Sequence, residues 1–143
     1  MKHILTLFVL TFNLSVSAQS AKYAGDYEVR YETDKGEVIE YTLSLQTNGM
    51  FLFHFYRHLG KAKPEENYYG RGKWNDDKNL ISLYTDVKND IDDTHTLNFN
   101  NSKARIISKS PRDKSTKIIK EAILFYSSEI PWVKRMKLTK KNE

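Results

Sequence analysis

His54 and His58 have the spacing that most resembles a metal site in this chain. On a helix, residues four apart lie on one face, so the two imidazoles could bind one ion. The segment alternates apolar and polar residues as a strand does, and in a strand these side chains lie roughly 13 Å apart. His95 could approach one of them only through folding. We therefore predict no metal site and interpret the histidines as polar residues of a solvated strand face.

A second group with chelating chemistry is a run of aspartates in the centre of the chain. Calcium takes many oxygen ligands, which such a run could supply. The order of an EF-hand loop, alternating acids followed by glycine, does not occur here. We interpret the run as a solvated acidic loop, formed by Asp86, Asp90, Asp92 and Asp93.

Residues that could form a catalytic centre are harder to find. The chain has no cysteine and no G-x-S-x-G motif, and its serines and histidines have no triad spacing. The paired acids Glu65-Glu66 and Asp92-Asp93 fall on predicted loops. Gly70-x-Gly72 lacks the following helix that a phosphate-binding loop needs. We predict no catalytic residue, no cofactor and no enzymatic activity.

Aromatic residues are the remaining feature with binding chemistry. The chain has nine Tyr, seven Phe and two Trp, and most of these rings must build the core. Several fall on consecutive predicted strands, and a barrel of about eight strands can hold a small ligand. Aromatic faces also stack on sugar rings. The predicted ligand-binding residues are Tyr41, Phe51, Phe53, Phe55, Tyr69 and Trp74.

The elements that position these rings are strands, because period-two alternation dominates the sequence. Asn48-Gly49 predicts a type I′ hairpin turn. Gly70 and Gly72 indicate a bulge, a bend or a close backbone approach, and we expect them to open space near Trp74. Residues 118–121 remain open between helix and strand, and residues 123–126 prefer strand. The last segment is interpreted as extended, which would put Trp132, Met136 and Leu138 on one face. We expect eight or nine antiparallel strands that close into a single up-and-down barrel.

Four motifs in the first half of the chain carry a resemblance. They are G-x-Y at Gly25, L-x-L-x-x-N-G-x-F-x-F from Leu43 to Phe53, G-x-W at Gly72 and I-x-L at Ile81. Together they resemble small secreted lipocalin-like barrels of bacteria. They are also similar to the N-terminal barrel of the copper-resistance, envelope-stress lipoproteins. That family has a paired-cysteine motif and a lipid-bearing cysteine. This chain has neither, so the resemblance implies a barrel fold and not metal sensing or lipid anchoring.

The first eighteen residues are typical of a secretory signal. Lys2 and His3 precede an apolar stretch, and small residues end it at Ala18. We expect residues 1–18 to be removed and residues 19–143 to form one β-barrel domain, secreted or periplasmic. The apolar stretch is too short to span a bilayer comfortably, and no second one follows.

The net charge of +5 is concentrated near the C-terminus. Such a basic end could meet anionic polysaccharide, nucleic acid or lipid headgroups. We favour a solvated strand edge on which lysines prevent aggregation, and we predict no nucleic-acid partner. The residues concerned are Lys134, Arg135, Lys137, Lys140 and Lys141.

These observations predict an exported, non-enzymatic β-barrel that binds a small apolar or carbohydrate ligand. The alternative is a protein-interaction module of the cell envelope, accessory to polysaccharide use.

The leader gives the first testable prediction. When the protein is expressed in a bacterium with a secretion pathway, N-terminal sequencing should begin near Gln19, because the small residues up to Ala18 fit a signal peptidase. A secreted product that still begins at Met1 would contradict this.

Overall fold

The computed structural model describes residues 22–142, which form nine β-strands and no helix, and thus no helix that could cross a membrane. The predicted leader and its cleavage site lie outside the described residues. The strands are β1 (Gly25–Glu32), β2 (Val38–Leu45), β3 (Met50–His58), β4 (Glu66–Asp77), β5 (Leu80–Tyr84), β6 (His95–Leu97), β7 (Ser102–Ile107), β8 (Ala122–Ser127) and β9 (Lys137–Lys140).

Eight of these strands close into an antiparallel barrel. β1 to β5 pair in sequence order, β5 continues to β7, β8 and β9, and β9 pairs with β1. The short strand β6 is additional and runs parallel to β4 at Tyr69 and Gly70. The predicted single up-and-down barrel of about eight strands is therefore confirmed.

Alternation places a layer of large apolar side chains inside the barrel. The pairing register sets Tyr27, Leu43 and Phe53 side by side on neighbouring strands, each about 1% exposed. Phe99, from the segment after β6, and Phe125, from β8, fill the space in front of them. The part of the barrel that these side chains fill is a solid aromatic and aliphatic core. Burial of this apolar surface is the main term that stabilises the fold.

Gly70 and Gly72 make this dense packing possible. An added Cβ at Gly70 would lie 2.5 Å from the ring of Phe99, and one at Gly72 would overlap the carbonyl oxygen of Tyr84. The glycines are sites of close approach, as one of the sequence readings allowed. The expectation that they open space near Trp74 is wrong, because Phe51 and Phe99 occupy the room that the missing side chains leave.

The hairpin predicted at Asn48-Gly49 is present, but its turn type differs. A type I′ turn needs positive φ at both central residues, and in this loop only Gly49 has it, at 84°. The Asn48 side chain instead accepts a hydrogen bond from the amide of Met50 at 2.9 Å. The two-residue turn with two positive φ values joins β4 to β5, at Lys78 (48°) and Asn79 (68°).

The barrel has two different ends. At one, here called the closed end, Tyr23 is 4% exposed and accepts a hydrogen bond from the Tyr27 hydroxyl at 2.8 Å. The indole nitrogen of Trp74 donates to the carbonyl of Gln46 there at 2.9 Å. The opposite end, here called the mouth, carries the loops after β1, β3 and β8.

Two segments near the C-terminus clarify the sequence reading. Residues 118–121, which were open between helix and strand, have neither conformation, and β8 begins at Ala122. Residues 131–135 form turns rather than a strand. Trp132 consequently lies apart from the buried row of Met136 and Leu138.

Replacement of Phe53 tests the solid core. Phe53→Ala should lower the free energy of unfolding by about 3–5 kcal/mol, through lost burial and the cavity that remains. The control Lys88→Ala, at an exposed position, should change it by less than about 0.5 kcal/mol. Denaturant melts compare the two variants, and equal midpoints would mean that Phe53 does not belong to the core.

Candidate functional site

The mouth contains a layer of inward-facing residues that the core does not cover. The register aligns Val29 with Tyr41, Tyr41 with Phe55, and Phe55 with Tyr68. This layer lies one step above the one that contains Phe53, because side chains of one face repeat every second residue. Alternation along three strands thus brings three aromatic rings to the mouth.

The rings of this layer are in contact. Tyr41 stacks on Phe55 with ring centres 4.9 Å apart, and Phe55 stacks on Tyr68 at 5.8 Å. Trp132 faces them from the other side, 5.2 Å from Phe55 and 5.9 Å from Tyr41. Its ring centre is also 6.0 Å from that of Phe53, which forms the floor. Tyr41, Phe55, Tyr68 and Trp132 are called the aromatic basin below.

Trp132 is held in place by the loop that carries it. Its neighbour Val133 is completely buried, and Met136 is 8% exposed. The amide of Arg135 donates to the carbonyl of Phe125 at 2.8 Å, and the amide of Phe125 donates to Met136 at 2.9 Å. Trp132 itself is 39% exposed. The indole is therefore positioned by buried neighbours while one part of it stays accessible to a ligand.

The basin encloses a cavity of about 340 Å³. Besides the four rings, Leu97 of β6 and Arg57 of β3 line it. This volume is at the lower end of the range for small-molecule sites, which are mostly apolar with a few polar groups.

Arg57 and Glu66 form the polar rim of the basin. Their side chains make an ion pair, and the hydrogen bond from Arg57 lowers the pKa of Glu66. The Arg57 guanidinium also lies 5.9 Å from the centre of the Phe55 ring. Burial raises the pKa of the Tyr41 hydroxyl, so this group stays protonated and can donate a hydrogen bond at neutral pH.

The six residues predicted from sequence divide into four locations. Tyr41 and Phe55 lie in the basin. Phe51 and Phe53 pack in the core, and Trp74 is buried near the closed end. Tyr69 faces outward. Only two of the six are thus brought together in a lining, with Phe53 beneath them.

Four lining residues were not predicted: Arg57, Tyr68, Leu97 and Trp132. Tyr68 could have been found, since it has the same strand parity as Trp74. Leu97 could not, because β6 reaches the mouth through a parallel pairing with β4 that no local pattern indicates. Trp132 was assigned to an extended segment, whereas a turn carries it.

Tyr69 belongs to a groove of about 400 Å³ on the outer wall. Its ring stacks on His54 with centres 4.5 Å apart and planes within 5°. His54 Nε2 lies 2.8 Å from the Asn67 side-chain oxygen. The groove extends to Lys141 on one side and His95 on the other. It offers fewer aromatic rings than the basin.

The acidic segment stabilises its own loop. Asp90 accepts a hydrogen bond from the amide of Asp86 at 2.7 Å, and Asp92 accepts from the amides of Thr94 and His95 and from Arg71. These contacts leave the carboxylates engaged within the loop. Within residues 22–142, no group of three His, Cys, Asp or Glu side chains is arranged to hold a metal ion.

Comparisons with protein family models, with curated proteins and with solved structures found no match for this chain. The barrel fold is observed, but the resemblance to lipocalin-like proteins stays a prediction.

The loop contacts of Asp92 give a pH prediction. Hydrogen bonds from the His95 backbone and side chain lower the pKa of Asp92 to about 2. Because this pKa lies below its unfolded value, the carboxylate stabilises the loop above about pH 4, and the contribution is lost as pH falls toward 2. Carboxyl carbon NMR should give a midpoint near 2 for Asp92. An ordinary midpoint near 4 for Asp92 would contradict the contacts.

Proposed function

We propose that this protein is an exported, non-enzymatic binding module whose aromatic basin holds a small ring-shaped ligand, a sugar or a similarly amphipathic compound. The observation that carries the proposal is an accessible set of contacting rings above a filled core. Export rests on the leader sequence.

The filled core favours one of the two ligand classes that the sequence left open. A fatty acid needs a deep apolar cavity for its chain. Phe51, Phe53 and Phe99 occupy that depth and are 0–1% exposed. A ligand in the basin therefore stays near the mouth, which favours a short molecule with one apolar face.

The chemistry of the lining fits a sugar ring. The axial C–H face of a sugar packs on aromatic rings, while its hydroxyl groups need hydrogen-bond partners. Trp132 and Tyr68 offer partly exposed rings. The Tyr41 hydroxyl and Arg57 provide donors beside them. Because the Trp132 loop is anchored by buried residues, little ordering is needed on binding, which favours affinity.

A protein-interaction module of the cell envelope is the second candidate. The outer-wall groove favours it, since Leu52 is 45% exposed beside the stacked His54 and Tyr69. On this interpretation the functional surface of the barrel would be its outer wall, and the basin would bind nothing. The following experiment separates the two.

Trp74→Phe leaves Trp132 as the single tryptophan and hence the fluorescence reporter of the basin. This variant is titrated with neutral oligosaccharides, sulfated oligosaccharides and fatty acids. We expect a saturable change with a neutral sugar. The effect of Trp132→Ala is measured by titration calorimetry in the protein that keeps Trp74. This substitution should weaken sugar binding by at least about tenfold, or about 1.4 kcal/mol.

The matched control is Tyr126→Ala, which removes a ring of similar exposure on the outer face of β8. It should leave the affinity unchanged. Binding that survives Trp132→Ala, or saturable binding of fatty acids alone, would contradict the proposal. No binding of any of these ligands would favour the interaction module.

A further inference from the structure

The loop between β7 and β8, residues 108–121, exposes two adjacent isoleucines. Ile118 is 89% exposed and Ile119 is 39% exposed. Single exposed apolar residues are common on protein surfaces. An adjacent pair in a long loop is a different case, because both side chains can enter a partner surface without any change in the barrel.

The same loop is strongly basic. Lys117 and Lys120 flank the isoleucines directly, and Arg112 and Lys114 precede them. None of these four side chains has an ion-pair partner within residues 22–142. The loop has two acids, Asp113, which accepts a hydrogen bond from Ser115, and Glu121, which pairs with Lys140. Five Lys and Arg side chains against these two acids leave a net charge of +3, so the exposed isoleucines lie in a cationic surface.

Strand directions place this loop at the closed end. β7 ends at Ile107 and β8 begins at Ala122, beside the C-terminal residues of β9. The mouth carries the opposite strand ends, including the loop of Trp132. A surface that receives residues 108–121 would therefore leave the aromatic basin facing away from it.

We propose that residues 108–121 dock the protein on an anionic lipid surface. Ile118 and Ile119 enter the boundary between headgroups and acyl chains, while the lysines beside them interact with lipid phosphates. Each cation near an anionic surface strengthens binding about fivefold. This inference stands on the loop alone and does not rest on the proposed ligand of the basin.

A soluble polyanion is the competing partner, because the same cations would attract it. The isoleucines favour the membrane, since a polysaccharide offers no apolar layer to receive them. Both contributions can be tested separately in this chain.

The test is co-sedimentation of the purified protein with phosphatidylglycerol/phosphatidylcholine vesicles and with pure phosphatidylcholine vesicles. We expect binding to the anionic vesicles and at least about tenfold weaker binding to the neutral ones. Ile118→Ser with Ile119→Ser should reduce binding to the anionic vesicles at least about tenfold. Lys114→Gln, Lys117→Gln and Lys120→Gln together should reduce it more.

Matched controls are available outside this loop. Lys61→Gln, Lys63→Gln and Lys88→Gln remove the same charge from exposed positions, and Val87→Ser removes a 58% exposed apolar side chain. These variants should bind like the original protein. Absence of vesicle binding overturns the proposal. Binding that the lysine variant loses but the isoleucine variant keeps also overturns it, in favour of a soluble polyanion.

A second measurement avoids any effect of these variants on folding. The chain has no cysteine, so Ile118→Cys can carry a single polarity-sensitive dye. Its emission should shift to the blue on addition of phosphatidylglycerol vesicles, while the same dye on Val87→Cys should not respond. An unchanged spectrum at residue 118 contradicts insertion.

Discussion

The ring of Phe99 lies against Gly70, at a distance that no side chain larger than hydrogen would allow. The same ring contacts Phe51 and Phe53, with centres 5.4 and 4.8 Å away. This contact depends on the absence of a Cβ in β4, and it brings a segment from outside the main strand order into the barrel. Because Phe99 fills this space, the barrel is solid between the closed end and the aromatic basin. The rings that remain accessible lie at the mouth.

The two ends of the barrel consequently have different chemistry. At the closed end Tyr23 and the buried Trp74 seal the core, and the basic loop of residues 108–121 lies at this end. At the mouth, Tyr41, Phe55 and Trp132 contact one another without filling the space between them. The protein can thus bind a ligand in the basin and a lipid surface at the closed end at the same time, because the two sites share no residue.

Local alternation was sufficient to predict β3 and its inner face, so the buried row of Phe51, Phe53 and Phe55 follows from the sequence. Alternation alone could not show that Phe51 and Phe53 belong to the core while Phe55 lines the basin at the mouth. That division depends on Phe99, which reaches the core through non-local contacts, and on Trp132, which follows Pro131 in a turn. Similarly, the glycines of β4 indicated close approach or open space, and only the position of Phe99 distinguishes the two.

The central claim is that the barrel is filled below the basin and accessible above it, and the two tryptophans report on these two regions. A nitrogen–proton NMR spectrum with a soluble paramagnetic probe measures the accessibility of each indole. The indole signal of Trp132 should broaden strongly. That of Trp74, whose N–H is bonded to Gln46 in the core, should persist. Equal broadening of both signals would mean that solvent reaches the interior and would contradict the account.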